Sequence, residues 1–270
     1  MLQKNKLIQD FKALGIKEGG AIGFHASYKA LGAQVEGGAA TLLDALQETL
    51  GPEGTLLLPC FTDPTQSTTC IALDTPCRLG YTAETFRKLP GVVVSNNHTH
   101  RCAARGALAK EFMQAHEGTS PLGRGSPFHE LARCGGEILL LGCDFTSCSL
   151  IHVAESMAHL PFTREQVCYE GYDIPVTLIR TDGKTVVCPP LDNPGDSSAF
   201  WKVGDYLLHR KLAKIGFVAG ARAILVRGND VIASALDILS GDPLALLCAE
   251  SNCTVCVKKR LVVVEKNNRQ

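Results

Sequence analysis

The sequence predicts an α/β fold: a mixed central β-sheet flanked by helices in a three-layer arrangement. Three observations carry this expectation. From Leu2 to Leu160, short apolar runs of strand length alternate with segments of helical period. Beyond that point, turn dipeptides separate short strand-like runs, as in hairpins. The 270 residues are 45% hydrophobic and 20% charged, enough to bury a sizeable core. No linker, repeat or low-complexity tract divides the chain, so 1–270 reads as one domain.

Leu2 to Leu14 has the spacing of an opening helix, and Gly15 stops it. Ala21 to Ser27 reads as a buried strand, with His25 and Ser27 on one face. A Gly-rich loop leads to a helix over Ala39 to Leu50. Gly37 and Gly38 make its start a plausible anion seat, although paired glycines there more often make a plain turn. Thr55 to Leu58 is the next strand, ended by Pro59. Asp63 to Gly80 is polar and Thr-rich, a surface excursion that can act as a flap. Tyr81 to Leu89 reads as a short helix and Val92 to Val94 as a strand. Ala103 to His116 reads as a helix, and Ser126-Pro127 starts another. Glu137 to Leu141 is a buried strand ended by Gly142. Late in the chain, two strands flank Asp182-Gly183, and Leu191 to Ser198 is a loop holding Asp192 and Asp196. A helix covers Ala199 to Ala213. A hairpin is expected through Gly228-Asn229, then a helix over Ser234 to Ala249 broken at Gly241. Leu261 to Val264 reads as a last strand.

Composition excludes several function classes. Lys+Arg and Asp+Glu both total 27, for zero formal net charge. A nucleic-acid binder carries a basic excess, so none is expected as partner. The N-terminus lacks the apolar core of a signal peptide, and no 18-residue apolar run occurs, so no membrane partner is expected and the reading is cytoplasmic. The 12 cysteines then read as reduced thiols, several packed as small hydrophobes.

The stretch with most chemistry is EILLLGCDFTSCSLIHVAESMAHL, from Glu137 to Leu160. It reads as strand, hydroxyl-rich loop and helix. His152 and Glu155 stand at i and i+3, on one helix face. A carboxylate beside an imidazole fixes its tautomer and stabilises the imidazolium, which suits a general base. Ser149, three residues earlier, can donate to a developing oxyanion. The same spacing also describes a surface ion pair, and Ser149 a simple helix cap.

This stretch, LLLGCDFTSCSLIHVAE, resembles the LLLG…TxLHxAE segment of the aminoglycoside 3-N-acetyltransferase family, with Ser149 where that family usually has Thr. Two earlier regions extend the resemblance in the right order. HASYKALG, VEGGAATLLDAL and LGPEGTLLLPCFT are similar to the family's opening blocks. SNNHTHRCAARG is similar to its RSxHPxHSxAAxG, with Ser95, His100, Ala103, Ala104 and Gly106 matching. The resemblance implies acetyl-CoA as co-substrate, bound in part by His25, Ala26, Ser27 and Tyr28 and by Ser95. It implies a small-molecule amine as acceptor, the 3-amino group of an aminoglycoside first among them. Val94, Asn97, His98 and Arg101 depart from the pattern. Arg101 offers a replacement for the positive charge lost at Val94. The family usually has Asp at the position of Thr146, and Asp144 is the nearby carboxylate that can take over substrate binding.

A different amine metabolite remains an alternative acceptor. A metal-dependent hydrolase built on His98, His100 and His152 is the alternative reaction. No metal is expected, although Cys248, Cys253 and Cys256 have a spacing that resembles one part of a zinc site, with no obvious fourth ligand.

Overall fold

A computed structural model describes residues 1–114, 116, 120–162, 174–190 and 195–268. Among the described residues the strands form two sheets. The larger has seven strands in the order β4-β5-β2-β1-β6-β10-β9. Its centre is β1 (Ala21–Ala26), β2 (Thr55–Pro59) and β6 (Glu137–Leu141), with β1 parallel to both neighbours. On one side β5 (Cys102–Gly106) and β4 (Val93–Val94) add antiparallel strands; on the other, β10 (Ala221–Arg227) and β9 (Ala213–Val218) do the same. The smaller sheet joins β3 (Thr69–Ile71) to β7 (Val176–Ile179) and β8 (Thr185–Cys188).

Alternation along the central strands divides the core into two layers. Ile22, Phe24, Leu56, Leu58, Leu139, Leu141, Ala223 and Leu225 face one side. There they meet the helices α1 (Lys4–Leu14), α2 (Gly38–Leu50) and α3 (Tyr81–Phe86), through Leu7, Phe11, Leu42, Leu46 and Phe86. Leu57, Ile138, Leu140, Ile224 and Val226 face the other. That layer is closed by α4 (Ala109–Gln114), α5 (Pro127–Arg133), α6 (Leu150–Met157), α7 (Trp201–His209), α8 (Gly228–Gly241) and the start of α9 (Thr254–Asn267). A period of two with both faces buried is what a sheet between helical layers requires. The three-layer mixed sheet expected from the sequence is therefore present.

Glycine permits a close approach at β1. A Cβ on Gly23 would stand 2.7 Å from both Ile138 and Leu131 side chains, so α5 can lie tightly on the strand only without one. Capping agrees with the sequence reading: Gly15 closes α1 at φ 100°, and the Ser126 hydroxyl accepts from the His129 N–H ahead of α5.

Three expectations fail, each for a physical reason. The region read as a helix over Ala103 to His116 begins instead as strand β5. Its alanines favour helix, but pairing with β2 from Thr55↔Gly106 to Pro59↔Cys102 overrides that propensity. Gly106, at φ 125°, could not carry a side chain, because a Cβ there would lie 2.0 Å from the Gly54 carbonyl oxygen. The late hairpin turns at Ala219-Gly220, not Gly228-Asn229, and Gly228 opens α8. The strand β9 escaped detection because it is a sheet edge with several exposed positions, so its apolar pattern is weak. Finally, Leu261 to Val264 is the interior of helix α9 rather than a strand. The expected strands around Asp182-Gly183 are β7 and β8, paired from Val176↔Cys188 to Ile179↔Thr185. Asp192 lies outside the described residues.

Arg101 does not supply a surface charge. Its side chain is fully buried, and its guanidinium donates to the carbonyls of Cys60, Ile71, Ala72 and Thr75. It thereby ties the excursion after β2 to the sheet. Arg101→Lys keeps the charge but loses the planar fork, leaving some of these carbonyls without a donor. The expected cost is about 2 kcal/mol, read as a lower urea midpoint at unchanged slope.

Candidate active site

The sheet's topology places a crevice at a defined point. From β1 the chain reaches β2 through α2 on one face, while β6 lies on the other side of β1 with α5 packed on the opposite face. In such sheets the crevice opens outside the carboxyl ends of the parallel strands, where the winding reverses. A cleft of about 720 Å³ lies there. Its floor comes from His25, Ala26 and Ser27 after β1, from Leu58, Pro59 and Phe61 after β2, and from Cys143 and Thr146 to Ser149 after β6.

Gly142 makes the turn out of β6 possible. It has φ 65°, and a Cβ there would stand 2.2 Å from the Ala30 Cβ. A short 3-10 turn, Phe145–Ser147, follows and delivers Ser149 to the N-cap of α6. Ser149 is buried, lines the cleft and makes no side-chain cap hydrogen bond. The alternative that it serves only as a helix cap therefore loses its geometric support.

One turn into α6, the His152 ring borders the cleft, and its Nδ1 lies 2.6 Å from Glu155 Oε2. The two side chains are 9% and 7% exposed, so this is a partly dehydrated pair and not a solvated surface one. The ring also stands edge-on to Phe200, with centroids 4.6 Å apart. Because Nδ1 is held by the carboxylate, Nε2 is the nitrogen left to face a substrate.

The other expected site residues divide. His25 lines the cleft, stacks on Phe128 at 5.5 Å, and its Nε2 is buried without a hydrogen-bond partner. Burial lowers its pKa to about 4, so the ring is neutral at pH 7. Ala26 and Ser27 also line the cleft. Tyr28, Ser95 and Asp144 are not among its lining residues. The Tyr28 hydroxyl accepts from the Val35 N–H and its ring meets Tyr81 edge-on. Ser95 Oγ accepts from the Cys102 N–H and contacts His116 Nδ1 at 2.8 Å. Asp144 Oδ1 accepts from both the N–H and the hydroxyl of Thr146, within its own turn.

Sequence reasoning missed Asp63, Arg78 and Asp196 as cleft residues. Asp63 sits a few residues beyond the end of β2, and that position was the signal available. Arg78 and Asp196 arrive on loops remote in sequence. His100 also lines the cleft, and burial, with nearby cationic groups, holds its pKa well below 6.5. Among the described residues, His98, His100 and His152 do not converge as a set of ligand atoms, whereas those of Asp196, Cys248, Cys253 and Cys256 lie within 4.8 Å of one another. No helix among the described residues is long and apolar enough to cross a membrane.

A cleft of mixed lining at the switch point of a mixed sheet, with a dehydrated His–Glu pair on its wall, defines an enzyme equipped to move protons on a small molecule. Comparison with known proteins gives the class its particular form. The family model for aminoglycoside 3-N-acetyltransferase matches residues 24–240, and the chain belongs to that family of acyltransferases. Aminoglycoside N(3)-acetyltransferase IV of Salmonella sp. is 32% identical over 252 residues, covering 91% of this chain and 90% of the relative. Aminoglycoside N(3)-acetyltransferase VII of Streptomyces paromomycinus is 30% identical, covering 68% of each. Among solved structures, a histidine-to-alanine variant of aminoglycoside acetyltransferase AAC(3)-IVa in complex with a gentamicin superimposes with a TM-score of 0.79. It is 30% identical, with 96% of this chain and 97% of that chain covered.

Proposed function

We propose that this chain transfers the acetyl group of acetyl-CoA to an amine, foremost the 3-amino group of an aminoglycoside, with His152 as general base oriented by Glu155. The observation that carries the reading is the 2.6 Å contact between His152 Nδ1 and Glu155 Oε2 on the cleft wall. Membership of the family supports the acetyl transfer, and the AAC(3)-IVa relative solved with a gentamicin supports the acceptor class.

Amines are protonated near neutral pH and cannot attack a carbonyl until a proton leaves. His152 Nε2 takes that proton as the nitrogen attacks the thioester carbon. Glu155 stabilises the imidazolium that forms. Ser149 donates a hydrogen bond to the carbonyl oxygen as negative charge grows on it. The C–S bond breaks, His152 returns its proton to the departing thiolate, and the second proton of the former ammonium leaves to solvent, so the base is regenerated with one proton released overall and no covalent enzyme intermediate.

The cleft fits a thioester co-substrate. Its volume is in the range of small-molecule sites, and the unpartnered His25 Nε2 marks a polar position that a ligand group would satisfy. His25, Ala26 and Ser27 are the residues we assign to that co-substrate. Asp63, half-buried and lining the cleft, is the carboxylate we assign to an ammonium group of the acceptor, in place of Asp144. Dependence on acetyl-CoA supports a cytoplasmic location. Both core layers lie on one sheet, which supports a single domain.

The test is acetyl-CoA-dependent thiol release against a panel of aminoglycosides and simple amines. Turnover is expected with aminoglycosides bearing a 3-amino group and none with those lacking it. Asp63→Asn should raise KM for the antibiotic by about tenfold, the cost of one lost charged contact, with kcat little changed. Turnover of simple amines alone would move the acceptor to the metabolite alternative.

A further inference from the structure

We propose that Asp196, Cys248, Cys253 and Cys256 form a structural zinc site that fixes one wall of the cleft. Their ligand atoms all lie within 4.8 Å of one another. Four ligands at ~2.3 Å around one ion would be separated by about 3.8 Å, so closure needs only small side-chain rotations. Cys248 and Cys256 are buried, while Asp196 and Cys253 are half-buried. All three cysteines are free thiols.

The donor set selects the ion. Three thiolates favour a soft or borderline metal, and a Cys-x-x-Cys pair is a common zinc arrangement. The carboxylate disfavours copper(I) and an iron–sulfur cluster, which prefer sulfur or imidazole throughout. Four protein ligands leave no open position, so the ion is structural rather than catalytic. Bringing three thiolates and a carboxylate to a divalent ion leaves excess negative charge. Two cations stand nearby: the Arg260 guanidinium donates to the Cys248 carbonyl, and the Lys259 ammonium packs against Gly195.

Helix α9 supplies an independent argument. Val262, Val263 and Val264 are β-branched and poor helix formers, and the residues α9 buries are Val255, Cys256 and Lys259, all in its first two turns. The most buried part of the helix is thus its start, where Cys253 is the N-cap, while Val262 and Val263 pack only partly buried on the core and Lys266 donates to the Pro161 carbonyl. An ion at that end would hold it.

The site also reaches the chemistry. Gly195, Asp196 and Ser197 line the cleft, and four residues beyond Asp196 the chain places Phe200 against His152. Zinc bound to Asp196 therefore positions this loop, and through Phe200 the catalytic ring.

The experiment uses the full chain prepared with zinc present. Inductively coupled plasma mass spectrometry should find one zinc per chain, and a chelator should lower the melting temperature. Cys253→Ser/Cys256→Ser should abolish retention, and Asp196→Asn should weaken zinc affinity by about 10–100-fold while leaving the thiols in place. Should the double variant not fold, cobalt(II) exchange into the wild-type chain decides the matter: thiolate-to-cobalt charge-transfer bands with strong tetrahedral ligand-field absorption support the site. Wild-type chain without stoichiometric metal, cobalt spectra lacking those bands, or a disulfide between two of these cysteines overturns it.

Discussion

His152→Ala should lower kcat by about 10²–10⁴, the usual contribution of a positioned general base, and leave the KM for acetyl-CoA near its wild-type value. The asymmetry follows from where the ring sits. His152 borders the cleft and its Nδ1 is held by Glu155, which leaves Nε2 for the proposed proton transfer. An interaction that matters only as the amine loses its proton affects kcat and not ground-state binding. Glu155→Gln should cost less than His152→Ala, because the ring stays in place. Its carboxamide no longer stabilises the imidazolium, so the pH profile of kcat should change on its acid side, where a general base is lost by taking up a proton. Both variants keep α6, and a urea midpoint close to wild type for Glu155→Gln would separate catalysis from folding. Full activity in His152→Ala across the pH range would remove this residue from the mechanism.

The parts of this site that were legible in the sequence share one property: their geometry is local. His152 and Glu155 meet because residues three apart on a helix must share a face, whatever the rest of the chain does. The strands β1, β2 and β6 were visible because burial on both faces makes them continuous apolar runs bounded by turns. Asp63, Arg78 and Asp196 obey no such rule, since the loops that carry them converge only once the sheet has formed. Asp144 is near in sequence, yet it is not among the residues that line the cleft, and its Oδ1 accepts from Thr146. The strand β5 was read as helix because its alanines speak for helix in isolation, and only the pairing with β2 outweighs them. Helix α9 was read partly as strand because of its valines, whose β-branched side chains favour strand in isolation. Asp196, whose carboxylate lies within 4.8 Å of the three thiols, stands more than fifty residues earlier in the chain, where cysteine spacing could not point to it.

Acid should destabilise this protein well above the range where its carboxylates titrate, because it buries histidines in neutral form. Burial lowers the pKa of both His25 and His116 from 6.5 to about 4. The hydrogen bonds at His116 explain its neutrality in detail. Nε2 lies 2.8 Å from the Pro121 carbonyl and must donate to it, so Nδ1 is left as an acceptor for the Ser95 hydroxyl. Ser95 Oγ in turn accepts from the Cys102 N–H, and protonation of Nδ1 would take away the acceptor of the Ser95 hydroxyl. His100 is held low in the same direction, chiefly by burial, and His152, Arg78, His116 and His98 add to it. The sign follows from proton counting. Above pH 6.5 neither state binds a proton at these rings, and they contribute nothing. Below it the unfolded chain takes up protons that the folded chain refuses, so stability falls as pH falls, until the folded rings titrate near pH 4. At pH 5 the loss is about 2 kcal/mol for each of His25 and His116. The urea midpoint should therefore drop steeply between pH 7 and pH 5. In His116→Gln the drop between those two pH values should shrink by about 2 kcal/mol, whatever the variant's stability at pH 7. An undiminished drop in that variant would mean that the His116 ring already carries its proton in the folded chain.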